Sequence, residues 1–465
     1  MLQTGDLTLS SMAAQDVTDL IDYTGSLATG EAEMDALAAT AFVNLDPGVD
    51  NDWSANAAGT AFTNPFNPVP QNDVTSSGAF GYMGAFDPAG DNWLAGWSYL
   101  DIAGAADVVN PDNGGDDDGS STADCNCPSL SDREEVVVSD SGFGTGTTTW
   151  TCDKTYMLDG YVFVNSGQVL TVQPGTVVKG MAGQGAEAAA LIVARGGQIF
   201  AEGTADCPIT FTHAADALDG STAYNTRGQW GGVIILGAAS TNLPTEGQIE
   251  GVPSENDRAA YGGTNDADNS GVLAYVSIRH GGTQLGAANE INGLTLGGVG
   301  SGTTIHHVEV LSNDDDGIEF FGGTVDVNYA AVGFVGDDSF DWDQGYRGGG
   351  HHWFSINDHD AGDCGGELDG DDSPTVTADG MPYTIPTVTN WTMMGRGSEA
   401  GKRGMRLRNG SGGHISDMVI VGFAEGADIE DSQEPHDAYD MLQTGDLTLS
   451  SMAAQDVTDL IDYTG

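Results

Sequence analysis

From about residue 150 the chain is written in short apolar runs separated by glycine- and aspartate-rich turns. Ile305, Val308 and Val310 stand 22 positions before Val327, Ala330 and Val332. In the same register Asp315-Asp316-Gly317-Ile318-Glu319 precedes Asp337-Asp338-Ser339-Phe340-Asp341. A second match sets Leu170, Gly175 and Val177 22 positions before Ile192, Gly197 and Ile199. Strand-type runs recurring at this period mark a solenoid. Similar runs follow at 230–236, 273–278, 294–296, 353–356, 388–393 and 418–421. The pattern predicts an all-β fold, a right-handed parallel β-helix over 125–440. Successive coils would lie about 4.8 Å apart, with equivalent side chains stacked in ladders. Roughly ten coils would make a rod about 50 Å long.

The stretch before residue 125 follows another pattern. Residues 8–42 read as partly helical: Ser11 precedes Met12, Ala13, Val17, Leu20 and Ile21, a capped amphipathic turn or two. Residues 31–42 read as a second short helix. Residues 45–82 are loop-like around Asn64-Pro65-Phe66-Asn67-Pro68. The aromatic-rich stretch with Tyr82, Phe86, Trp93, Trp97 and Tyr99 reads as strands. Together, 1–105 are expected to form a small α+β module, followed by an acidic flexible linker over 106–124.

One feature overrides local pattern. Residues 1–25 recur letter for letter as 441–465. A window on a tandem array, a head-to-tail polymer with one segment written twice, and an engineered fusion each produce this. The first two imply linear assembly. The interface is then expected at Met1, Leu7, Leu9, Met12, Val17, Leu20, Ile21 and Tyr23, with 441–465 opening the next unit.

Charge narrows the function classes. Sixty-nine acidic residues against 13 basic ones leave a net charge of −56. No basic stripe exists for phosphate, so nucleic acid is excluded as a partner. No apolar run approaches the roughly 18 residues of a membrane span. Such an acidic surface favours high salt or bound divalent cations. The five cysteines show no zinc spacing. They read as one or two disulfides with a thiol left over, or as five buried thiols. Cys125 and Cys127 suit a disulfide to Cys152 that pins the first coil. Disulfides would place the chain in an oxidising, extracellular or cell-surface setting.

Several strings resemble a family of secreted, pectin-lyase-like right-handed β-helix surface proteins of Bacteroidota and their relatives, usually without an assigned function. They are VQPGTVVKG (172–180), ALIVARGG (190–197), QWGGVIILG (229–237), VSIRHGG (276–282), EINGLTLGG (290–298) and DDGIE (315–319). The resemblance covers about 125–440. Gly84-Ala85-Phe86 and Asn92-Trp93-Leu94-Ala95-Gly96-Trp97 also resemble the family's C-terminal ending. That ending here precedes the β-helix, which implies a numbering opened in mid-repeat. The resemblance implies a cell-surface protein and no established catalytic residues.

The acidic ladder is the main candidate for chemistry. Asp315, Asp316, Glu319, Asp337, Asp338, Asp341 and Asp343 fall on adjacent coils, with Glu367, Asp369, Asp371 and Asp372 expected on the next. Stacked carboxylates repel unless a cation lies between them, and calcium suits oxygen clusters. The alternative is aspartates bonded to their own turns. A lyase would also need a base, and Arg347, Arg406 and Arg408 are the nearby choices. They serve equally as structural ion pairs. The pairs His306-His307 and His351-His352 are expected to split across a strand, one ring to each face. His280 is expected to hydrogen-bond the backbone in its turn. Trp93, Trp97 and Trp353 read as core before sugar platforms. Asn390-Trp391-Thr392 and Asn409-Gly410-Ser411 match the glycosylation sequon. The expected function is a non-catalytic structural subunit of an extracellular head-to-tail fibre. A calcium-dependent polysaccharide lyase and a glycan-binding adhesin are the alternatives.

Overall fold

The computed structural model describes residues 12–15, 42–43, 78–87, 90–102 and 125–464, except 184, 254–255, 284–290, 359, 371–380, 399–401 and 433–435. Within 125–464 the chain winds as a parallel β-helix with a three-sided cross-section. The second side shows the winding most simply. Glu134–Ser139 pairs with Lys154–Asp159, which pairs with Val177–Gly180 and then Ile209–His213. Beyond these, long strands bend from the first side onto the second: Gly271–Arg279, Thr304–Leu311, Val327–Gly333, Gly349–Ile356 and Thr387–Met394. The third side stacks Tyr161–Val164, Ala190–Val193, Val233–Leu236, Leu294–Gly297, Ile318–Phe321, Phe340–Asp343, Cys364–Asp369 and Arg403–Arg408. In the last two coils, Gly413–Glu430 and Leu447–Thr464, one strand runs through all three sides.

Alternation places the core. On the second side, Tyr156, Val178, Phe211, Ile278, Val310, Val332, Ser355, Met393, Ile420 and Ala454 form one inward column. All ten are buried. At Gly366 a Cβ would lie 2.7 Å from the Trp391 indole, so the glycine gives that ring its space. Trp97, Trp353 and Trp391 are fully buried, and Trp353 is therefore core.

The corner between the first and second sides is a single left-handed residue. Tyr275, His307, Tyr329, His352, Asn390, Asp417 and Ser451 occupy it in successive coils, with φ between 50° and 59°. This conformation is costly for residues with a Cβ. Stacking offsets the cost: Tyr275, His307, Tyr329 and His352 lie face to face at 4.4, 4.5 and 4.6 Å. The corner also corrects the expected split of the histidine pairs. One turned residue resets the alternation, so both rings of each pair meet. Nδ1–Nδ1 is 3.0 Å in His306–His307 and 2.7 Å in His351–His352.

The same reset corrects the helical turns expected after Ser11. The identical copy opens at the end of the helix Ala438–Thr444, but its Leu447–Thr464 is strand. Left-handed corners at Ser451 and Asp456 shift the inward positions between sides. The resulting apolar spacing imitates a helix. Met12–Gln15 is likewise strand, and Ala13, Ala14 and Gln15 pair in parallel with Ala453, Ala454 and Gln455. Phe42–Val43 pairs on its other side. Of the expected interface, only Met12 is described. Met1, Leu7, Leu9, Val17, Leu20, Ile21 and Tyr23 lie outside the described residues, as do the rest of the second expected helix and the linker.

The 22-residue match of 305–310 with 327–332 is the observed register. The match of Leu170 with Ile192 is not. Leu170 pairs with Ile199 on the first side, whereas Ile192 stacks between Phe163 and Ile234 on the third. Every side has the same apolar alternation closed by a glycine turn, so a sequence match slides from one side to another.

Residues 78–87 and 90–102 are not strands of a separate module. They form a strap of turns, ending in the one-turn helix Tyr99–Ile102, laid across the second side. Met83, Phe86, Leu94, Trp97 and Leu100 bury against Leu311, Phe354, Ile356, Met394 and Val419. Glu309, fully buried, accepts the backbone N–H of Tyr99 at 2.9 Å and of Leu100 at 3.0 Å. Thr392 Oγ1 accepts Ala85 N at 2.8 Å, and Asn390 Nδ2 donates to the Tyr82 carbonyl at 2.8 Å. Asn390 is thereby sealed and unavailable as a sequon acceptor.

Cys127 is bonded to Cys152, and Cys125 reaches instead to Cys207. Cys364 is a buried free thiol. Among the described residues no helix is long and apolar enough to cross a membrane.

Candidate metal centre on the acidic side

The outward column of the third side changes character along its length. It begins Phe163, Ile192, Ile234, all fully buried. It continues Thr295, Glu319, Asp341, Glu367, Arg406, Asp428, Asp462. The turns entering these strands add further acids. Asp316 Oδ1 accepts Asp338 N of the next coil at 2.8 Å, and Asp338 Oδ1 accepts Cys364 N at 2.5 Å. The aspartates therefore bond the following turn, not only their own.

Three groups of ligand atoms converge within 4.8 Å: Asp315, Asp316 and Asp337; Asp316, Glu319 and Asp341; and Asp338, Asp363 and Cys364. The first two share Asp316. Two carboxylates at that separation repel by about 3.5 kcal/mol at an effective dielectric near 20. Several such pairs rival the net stability of a domain. Burial, and then the charges of Asp315 and Asp338, push the Asp316 carboxyl well above the usual range. Burial and the Glu250 and Asp341 charges do the same to Glu319. Asp338 and Asp341 are raised by burial and by their acidic neighbours. Asp337 is raised less, because Lys402 and Arg408 partly offset burial and Asp363. Such groups hold either protons or a cation.

The donor set fits a hard divalent ion such as calcium, being almost all carboxylate oxygen. A buried amide lies beside it. Asn292, fully buried, donates Nδ2 to Glu319 Oε2 and, at 3.1 Å, to Glu250 Oε1, while its Oδ1 accepts no hydrogen bond. Asp343 lies beside the group and helps to raise Glu319. Asp371 and Asp372 fall outside the described residues. Glu250, Asn292 and Asp363 were not singled out from sequence. Glu250 arrives on an insert between coils, and only Asp363 had a signal, its alignment two coils below Asp315. A fourth group, Glu425, Asp428 and Asp462, is also new, and there Arg403 pairs with Glu425 at 2.6 Å and Asp428 at 2.8 Å.

The arginines are engaged. Arg408 Nη2 lies 2.6 Å from Glu367 and Nε 2.8 Å from Asp369, and Arg406 pairs with Glu367 at 3.4 Å. Arg347 is elsewhere, paired with Asp266 at 3.3 Å. His280 is buried with Nδ1 2.7 Å from the Thr226 carbonyl, and burial lowers it to about 4.

Parallel rungs, an apolar interior and a buried acidic column define a single-stranded parallel β-helix protein. The model of the pectate-lyase-like β-helix domain matches residues 142–464, and the chain belongs to that family. No curated protein and no solved structure matches it.

Proposed function

We propose that the chain is a non-catalytic structural unit of an extracellular head-to-tail fibre whose acidic column holds calcium. The carrying observation is the pairing of Ala13, Ala14 and Gln15 with the last coil, each of the three against its own copy in the repeated sequence. A segment that stacks on itself in register is a natural joint between successive units. The two disulfides support an oxidising location. The parallel coil makes such a joint heterologous, so it extends into an open filament. Size-exclusion chromatography with negative-stain microscopy tests the reading. Fibres are expected in calcium and native salt, and a monodisperse monomer overturns it.

A calcium-dependent lyase or glycan-binding adhesin is the second reading. It is favoured by a cavity of about 200 Å³ beside the column, lined by Arg406, Arg408, Asp428, Glu430 and Thr464. Against turnover, both arginines are committed to carboxylates. Cleavage of an acidic polysaccharide that is lost with chelator would favour this reading over the first.

A further inference from the structure

The two ends of the solenoid differ. At one end, Glu134–Ser139 pairs with Lys154–Asp159 through six consecutive residues and, among the described residues, with nothing on its other side. Thr148–Trp150 likewise pairs only with Val169–Val172. Val136 and Val138 point into the core but are only partly covered. Val137 is 60% exposed and Phe143 82%. Six large hydrophobics are exposed among the described residues, and three of them, Leu130, Val137 and Phe143, fall in this one stretch. Natural sheets blunt such an edge, and natural solenoids cap it.

The end is also rigid. Cys127–Cys152 ties the incoming segment to the second coil, and Cys125–Cys207 ties it further along. Asp140 accepts Gly142 N at 2.7 Å, Gly144 N at 2.9 Å and Arg258 Nη1 at 2.5 Å, which holds the loop that carries Phe143. An open edge held in this way is preorganised for docking. The stretch leading into it, 103–124, offers Val108 and Val109 as its only large apolar residues among many aspartates, a poor composition for a cap.

We infer that this edge docks the far end of a second copy of the chain, where Leu447–Thr464 is continued by Met12–Gln15 and Phe42–Val43. The inference rests on the fibre reading and names its other surface. All the rungs are parallel, so this edge calls for a parallel coil of the same three-sided section. The last complete coil of another copy, Leu447–Thr464, has that section, and Met12–Gln15 and Phe42–Val43 extend it in parallel. It already accepts added strands in parallel register. Both partners are acidic, so docking strengthens as salt or calcium screens them.

The double variant Val137→Lys/Phe143→Asp tests this by sedimentation velocity and negative stain. Both side chains are exposed, so the melting curve should match the native one. The concentration needed for polymerisation should rise at least about tenfold, since one buried aromatic is worth more than a factor of ten. The variant keeps an intact far end, so a trace of it should cap native filaments and shorten them. Polymerisation of the variant at the native concentration, or native filaments left unshortened, overturns the inference while leaving the fibre reading intact. Absence of native filaments in any salt overturns both.

Discussion

Phe163, Ile192 and Ile234 occupy the same outward column as Glu319, Asp341 and Glu367, on successive rungs of the same side. The apolar half is roofed by an insert in which Gly247–Gln248 pairs with Ala260–Tyr261, and Ile249, Val252, Ala259 and Tyr261 bury against it. The acidic half needs countercharge instead. The chain supplies this to Glu367 and Asp369 through Arg406 and Arg408. Among the described residues no lysine or arginine forms an ion pair with Asp316, Glu319, Asp338 or Asp341. Backbone geometry is common to both halves, so side-chain chemistry alone decides whether a rung packs or binds.

The largest effect should come from moving the boundary. Ile234→Asp places a carboxylate among the apolar side chains beneath the roof and is expected to cost roughly 4 kcal/mol or more. Urea denaturation measures it.

Removing divalent ions should come next. With calcium at about 100 times its dissociation constant, one site adds about 2.7 kcal/mol, and chelator at pH 7 should remove it as a fall in melting temperature. The chelated protein has its own pH dependence. Asp316, Glu319, Asp338 and Asp341 are raised in the fold, so it prefers their protonated forms. That stabilisation is complete below the ordinary values of 3.8 and 4.5 and is lost as pH rises through the raised ones. Buried His307 and His352, lowered to about 4 and about 3, act in the opposite sense. Their stabilisation is present above 6.5 and lost as pH falls through the lowered values. Asp316→Asn separates the two contributions. It keeps an acceptor for Asp338 N, should raise the melting temperature of the chelated protein at neutral pH, and should shrink the calcium shift. A chelated variant no more stable than the chelated native chain would contradict this account.

The smallest effect belongs to the partly buried ion pairs. Arg408→Gln should cost about 1–2 kcal/mol, since it removes charged hydrogen bonds to Glu367 and Asp369 that solvent partly replaces. The loss should be larger in chelator, where the whole column is short of positive charge. Calorimetry of the variant in both buffers checks this.

Much of the acidic column was legible. Asp315, Asp316 and Glu319 align with Asp337, Asp338 and Asp341 because consecutive short coils keep one length. Early coils defeated the same reasoning, since Leu170 and Ile199 are separated by longer turns. Glu250 and Asn292 reach the site only through the insert and the stacking of coils, which no local spacing records. The strap carries many aromatics and so resembled strands, yet its partners, Glu309, Thr392 and Asn390, lie more than 200 residues away.

Local chemistry by itself determined that this chain would coil. Apolar alternation and glycine turns repeat at a coil's length, and each residue's own preferences enforce them. Tertiary structure decided which side stacks on which, where the alternation resets, what covers each column and which acids share a site. Those outcomes depend on contacts between distant segments. Left-handed corners decouple a residue's place in the sequence from the direction of its side chain.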